Sequence, residues 1–250
     1  DTLRTSTSNR DRAWDRLSST WHNGIADASS SLRELMQFGS ERFPPWKILL
    51  QGNKPLPESV PHGIRFGGFG IDLAALPDGV SSDPRLKPAE PLKLNLPAYL
   101  PFPDDCAILL KAHEEGRTAA VSALQAMMLR FLTGLPPGKV RFTIIDPVGL
   151  GENFAAFMHL ADYDENLVAS RIWTEPPHIE KRLADLTEHM ENVIQKYLRN
   201  QYKSIEEYNR AAGEVAEPYR VLVIANFPTN FTPDAARRLI SIMASGPACG

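Results

Sequence analysis

The stretch Cys106-Ala107-Ile108-Leu109-Leu110-Lys111-Ala112-His113-Glu114-Glu115-Gly116-Arg117-Thr118 decides how the chain is read. Residues 106–112 form a short apolar run of the length of a buried strand. Beyond Gly116, the apolar residues Val121, Leu124, Met128, Leu129 and Phe131 recur at helical spacing, which predicts a helix over 118–132. A strand that turns into a helix is where α/β proteins hold phosphate, because the free N–H groups and the dipole of a helix start both favour an anion. Pro136-Pro137-Gly138 breaks the helix, and residues 140–145 form a second strand ending at Asp146-Pro147. A short helix over 164–173 follows. A strongly amphipathic helix then covers 178–199, with Leu183, Leu186, Met190, Val193, Ile194, Tyr197 and Leu198 on one side. A further helix starts at 205–209, a nearly all-apolar third strand spans 219–225, and a last helix spans 233–244. Strands that are continuous apolar runs, alternating with helices, predict a parallel sheet covered on both faces.

Upstream the pattern changes. Trp14, Leu17, Trp21, Ile25, Leu32, Leu35 and Phe38 predict a helix over 9–38, stopped by Gly39 and Pro44-Pro45. Its apolar strip is sparse and needs a partner surface, either its own domain or a second coil. Residues 46–104 are rich in Pro and Gly. Extended runs are predicted at 46–50, 64–73 and 92–96, with an exposed loop over 77–91. The glycines at 63, 67, 68 and 70 are read as turns and bulges rather than a phosphate loop, since no helix follows them. The expected organisation is a helical segment 1–43, a small β-rich segment 44–104 and an α/β domain 105–250.

Composition limits the function classes. The chain has 250 residues, 43% hydrophobic and 23% charged, which excludes a wholly disordered protein. No run approaches the roughly 18 apolar residues of a membrane helix. The net charge of -3 gives no general basic surplus for gripping DNA, so any basic face is local. Prolines number 21, about 8% against the usual ~5%. Cys106 and Cys249 are far apart and lack metal-ligand spacing, so Cys106 reads as a buried free thiol. The start, Asp1-Thr2-Leu3-Arg4, lacks both an initiator Met and a signal-peptide apolar region. It is read as a cut end of a longer, cytoplasmic protein.

A phosphate loop requires G-x-x-x-x-G-K-[S/T] at the first turn. Gly116 and Thr118 stand in place. Arg117 replaces Lys, and Lys111 replaces the first Gly. Further points of likeness run in order: Thr143-Ile144-Ile145-Asp146-Pro147, Met158-His159-Leu160, Glu188-His189-Met190-Glu191 with Tyr197, Tyr208-Asn209, the strand 219–226, and the segment 238–250. Together they make residues 106–250 resemble the motor domain of FtsK/SpoIIIE-type DNA translocases, in the FtsK–HerA division of P-loop ATPases. The resemblance implies a RecA-like P-loop fold with a parallel sheet covered by helices, preceded by the helix and the β-rich segment. Such a core needs at least one more strand after 219–225, so the domain is expected to continue past residue 250.

The resemblance also implies ATP and Mg2+ as cofactors. Gly116, Arg117, Thr118 and Asp146 would be the nucleotide-binding residues, with Thr118 on the metal. It implies a homo-oligomer or larger multidomain assembly, with DNA, or protein in secretion relatives, as the translocated partner. The departures bear on mechanism. The Walker B strand of the family ends in Asp-Glu, one holding magnesium and one activating water. Here Ala225-Asn226 stand there, leaving the catalytic positions degenerate. Glu114 and Glu115 bring two carboxylates where a triphosphate would lie. Two readings follow: a working or weakly working motor, and an inactive pseudo-ATPase acting as scaffold or regulatory module.

Other polar residues are weighed beside these. His113 next to Glu114 reads as exposed loop rather than acid/base pair. His159 is structural, or near the nucleotide edge by resemblance. His178, Glu188 and His189 show no zinc spacing. Asp146 either contacts magnesium or caps its turn. Arg237 and Arg238 either touch a neighbour's nucleotide in a ring or are solvated. Lys181, Arg182, Lys196, Arg199, Lys203 and Arg210 give the long helix region positive character diluted by Glu.

Overall fold

The computed structural model describes residues 2–52, 55–77, 79, 81–87, 93–168, 171–198 and 201–245. The elements run α1 (Thr2–Arg42), α2 (Trp46–Leu50), β1 (Gly63–Asp72), β2 (Lys93–Pro101), α3 (Gly116–Gly134), β3 (Val140–Ile145), α4 (Pro176–Val193), α5 (Ile205–Ala212), β4 (Tyr219–Ile224) and α6 (Pro233–Ser245). The chain divides into two compact units. One comprises residues 1–53 and 67–98, the other 54–66 and 99–250.

In the first unit, α1 is longer than its apolar strip requires. Its middle holds the short 3-10 turn Pro84–Leu86: Trp21 Nε1 donates to the Leu86 carbonyl and Ser18 Oγ to that of Arg85, both at 2.9 Å. The Arg85 guanidinium lies 4.1 Å over the Trp14 ring, a cation–π contact. Farther along α1, Leu35 and Phe38 remain 52% and 67% exposed, so the strip is only partly covered. β1 and β2 are hydrogen-bonded neighbours. The expected strand 92–96 is found as β2, extended to Pro101, while Leu92 lies outside the described residues. The run 46–50 is helical rather than extended. Pro45 precedes its first turn and its carbonyl accepts from the Ile48 and Leu49 N–H groups. Five residues, four of them apolar, carry no periodicity that could have decided between the two forms.

In the second unit, β3 and β4 pair in parallel, Val140 opposite Tyr219 through Ile145 opposite Ile224. A third extended segment adjoins β3 through bridges Phe142–Val168 and Ile145–Trp173. The described residues 164–168 and 171–173 are therefore a turn and an edge segment, not the expected helix, and residues 169–170 lie outside the described residues. Asp164 starts a turn closed by the Leu167 N–H, and Val168 is then drawn to 0% exposure against the sheet. One face of the sheet is covered by α4 and α6. Ile145, Trp173, Ile179, Leu183, Leu186 and Ala235 form the buried cluster there, with Leu222 and Ile224 packed against it. On the other face Phe102 joins Phe131 of α3 to Tyr219 of β4, ring centroids 5.3 and 4.8 Å apart. This is a mixed α/β layer arrangement, as the alternation of runs predicts.

One expected strand is not formed. Residues 106–112 carry no regular structure, and Leu109 is 69% exposed. A strand exists only where a neighbour takes its N–H and C=O groups. Among the described residues no ladder reaches this run. The helix after it, α3, begins two residues earlier than its apolar period indicates. α4 gives way to a π turn at Ile194–Leu198, and Arg199 lies outside the described residues. Cys249 and the end of the segment 238–250 also lie outside them. Cys106 is a free, half-buried thiol, and no described helix is long and apolar enough to cross a membrane.

Candidate functional site

The site is assembled at the C-terminal ends of β3 and β4 and the N-terminus of α3, where open α/β sheets place ligands. Asp146 follows β3 directly and is 0% exposed. A buried carboxylate needs donors for its lone pairs, and two side-chain amides supply them. Asn226 Nδ2 donates to Asp146 Oδ1 at 3.0 Å, and Asn153 Nδ2 donates to Oδ2 at 2.9 Å. Asn226 reaches inward because it leaves β4 with φ 56°, a left-handed conformation that Asn tolerates better than most residues. Ala225 instead continues the ladder, its N–H on the Ile145 carbonyl at 2.9 Å.

α3 closes this network from both of its turns that face it. The Arg117 guanidinium donates to Asn226 Oδ1. Gln125 Nε2 donates to the Asn153 carbonyl at 2.6 Å. Asn226 is thus a relay: it accepts from a cation and donates to a buried anion. Asn153 sits just past a sharp bend in the 3-10 segment Gly149–Asp162. That bend depends on Gly151 at φ 85°, where a Cβ would lie 2.8 Å from the Ile172 side chain.

The turn before α3 is built unlike a phosphate cradle. The Gly116 N–H bonds to the His113 carbonyl at 2.8 Å and the Arg117 N–H to that of Glu114 at 3.1 Å. These are two of the N–H groups that a helix start normally leaves for a ligand. Glu114 takes φ 34° and, with His113 and Glu115, faces solvent. Thr118 lies exposed on the first turn of α3.

Of the residues singled out from sequence, Arg117, Asp146 and Asn226 meet. Gly116 and Thr118 flank Arg117, and Ala225 belongs to the ladder. Asn153 and Gln125 were missed. The one local signal for Asn153 is the Gly149-Leu150-Gly151 bend before it. The histidines disperse. His159 pairs with Asp162 on the surface at 3.3 Å, His178 meets Trp173 edge-on, and His189 pairs with Glu217 at 3.3 Å. Arg237 pairs with Asp234 on the exposed side of α6. Among the described residues there is no group of three or more His, Cys, Asp or Glu that could hold a metal ion.

These side chains do not fit magnesium-bound nucleotide. Mg2+ keeps several of its waters and is anchored to a protein mainly through one or two carboxylates. Here both oxygens of Asp146 are engaged by amides, and positions 225 and 226 supply no second carboxylate. Glu114 and Glu115 add negative charge at the turn where phosphates would sit.

No curated protein matches the chain. The FtsK/SpoIIIE family model matches residues 114–247, from the turn before α3 past the end of α6.

Proposed function

The chain belongs to the FtsK/SpoIIIE family of P-loop ATPases, and from that premise we propose that its 105–250 region is a RecA-like domain whose nucleotide site has become a structural latch. Members of the family bind ATP with Mg2+ and act as oligomeric DNA translocases. In this chain the domain is a non-hydrolysing module that serves the parent assembly as a scaffold or regulatory partner. The observation that carries the reading is the capture of both Asp146 oxygens by Asn226 and Asn153. Arg117, one step away, then neutralises the relay rather than a phosphate. Loss of a base or a charge clamp commonly costs orders of magnitude in rate. Several such changes coincide here.

The test is titration calorimetry with Mg2+-ATP, paired with a phosphate-release assay on the same preparation. The expected outcome is no release above buffer and no binding of Mg2+-ATP below millimolar nucleotide that Arg117→Ala abolishes. Hydrolysis that disappears in Arg117→Ala would overturn the reading. It would favour the other one, a weakly working motor in which Gly116, Arg117 and Thr118 hold phosphate and Asp146 helps with magnesium. That alternative draws on the position of Arg117, which keeps a cation at the mouth of the site.

A further inference from the structure

The α4-covered face of the sheet carries more arginine than folding accounts for. The parallel register sets Arg141 of β3 directly opposite Arg220 of β4. Side chains alternate along a strand, so both share the face of Ile145, Leu222 and Ile224, the one packed under α4. Like charges directly opposite each other in a ladder are unfavourable. Two more guanidiniums flank Trp173, a buried residue of the same cluster. Arg182 of α4 and Arg171 of the edge segment lie over the Trp173 ring, 4.4 and 4.6 Å from its centroid.

Two carboxylates answer these cations. Glu217 takes His189 Nε2 at 3.3 Å and Arg220 at 3.7 Å, and Asp185 takes Arg182 at 3.5 Å. The chain as a whole is net negative, yet here positive charge exceeds negative. The Nε–H groups of Arg182 and Arg220 are buried without an acceptor, as is Nε1–H of Trp173. Buried donors are nearly always satisfied, by protein or by a bound molecule. The side chains of Arg182 and Arg220 remain 28% and 29% exposed, so the cluster is open to solvent on one side. Desolvation, with Arg141 and Arg182 nearby, lowers the proton affinity of Arg220. An anion would relieve that.

We propose that Arg141, Arg182 and Arg220, with His189 at their rim, form a binding site for a phosphate-class oxyanion, free or as the terminal group of a nucleotide. The planar guanidinium fork matches the oxygens of phosphate in paired hydrogen bonds. Arg141 and Arg220 stand at the opposite end of the ladder from Asp146, Arg141 about 16 Å along β3 at ~3.3 Å per residue, and none of the three arginines bonds to Asp146, Asn153 or Asn226.

The test is calorimetric titration of the full chain with inorganic phosphate, pyrophosphate and ADP, all without magnesium and at matched ionic strength. Saturable binding of pyrophosphate in the sub-millimolar range is expected, with a higher melting temperature than in chloride. ADP tighter than pyrophosphate identifies a nucleotide as the source; equal affinities identify the free anion. Arg141→Gln and Arg220→Gln should each weaken binding about tenfold, as loss of one charge-assisted contact does. Glu217→Gln and Asp185→Asn, which remove competing carboxylates, should each tighten it severalfold. Arg237→Gln on α6 should change nothing. The proposal is overturned by absence of saturable binding at 10 mM pyrophosphate (a concentration about tenfold above the top of the expected range), by unchanged affinity in both arginine variants, or by weaker binding in both carboxylate variants.

Discussion

Asn226→Asp is the sharpest probe of the latch. The change is isosteric, and Asp tolerates the left-handed backbone at this position as Asn does. What changes is charge. The Nδ2 that donates to Asp146 Oδ1 at 3.0 Å becomes a carboxylate oxygen facing another carboxylate. Two unit charges about 3 Å apart repel by ~5 kcal/mol at an effective dielectric of about 20. The lost hydrogen bond to a charged acceptor adds ~1.5–3 kcal/mol. Separation of the two groups and a stronger pairing with Arg117 offset much of that. A net loss of about 2–4 kcal/mol at pH 8 is expected, which for a chain of this size is about 4–16 °C in melting temperature. Two carboxyls this close cannot both ionise, so in the variant the folded state holds a proton that the unfolded chain releases. The penalty is therefore fully present at high pH and shrinks as pH falls toward 5. Paired carboxylates also make a hard-cation site, so 5 mM Mg2+ should narrow the gap in the variant and leave the parent unmoved. Thermal melts followed by near-ultraviolet circular dichroism at pH 8 and pH 5, with and without Mg2+, read all three effects. Parent and variant melting within 1 °C of each other at pH 8 would refute the Asp146–Asn226 contact and the latch with it.

Three further outcomes are expected. Leu183→Ala, at a fully buried position under α4, should cost about 2–5 kcal/mol in urea unfolding through lost burial and a residual cavity; a loss below 1 kcal/mol would mean α4 is not seated on the sheet. Burial pushes the Cys106 thiol up to about 11. In a Cys249→Ser background it should thus react with a thiol reagent at pH 7.5 about a hundredfold more slowly than an ordinary cysteine, and reaction at the rate of free cysteine would contradict its placement. The hydrogen bond from His189 holds the Glu217 carboxyl below its usual 4.5. A depressed carboxyl stabilises the fold above the unfolded value, and that contribution is lost as pH falls through the folded one. Between pH 5 and pH 3 the parent should lose more stability than His189→Ala, and equal losses would show that the pair is not formed.

The elements read well from sequence where one local pattern decided them. β3 and β4 are mainly apolar runs, interrupted by Arg141, Thr143 and Arg220 and bounded by Pro and Asp-Pro or Ala-Asn, and α4 repeats Leu183, Leu186 and Met190 on one face. The misreadings fall on short apolar segments without a period. Residues 46–50 become a helical turn after Pro45, and the described residues around Val168 and Trp173 become an edge segment because Phe142, Ile144 and Asp146 bond the backbone of Leu167 and Trp173. The run 106–112 has strand composition, but composition cannot supply the neighbouring strand that a ladder requires.

The site divides in the same way. Position along the chain was enough to single out Arg117, Asp146 and Asn226, to mark the missing carboxylate after β4, and to identify the family. Those are properties of residue type and order. Tertiary structure alone decided that Asn226 spends its amide on Asp146, 80 residues away, and its carbonyl on Arg117, 109 residues away. It alone brought in Asn153 and Gln125, and it alone set Arg141 beside Arg220. The reason is physical. Helix and strand patterns are written at spacings of two to four residues, whereas a buried carboxylate takes whichever donors the packed layers deliver within about 3 Å, and no local pattern records which those will be.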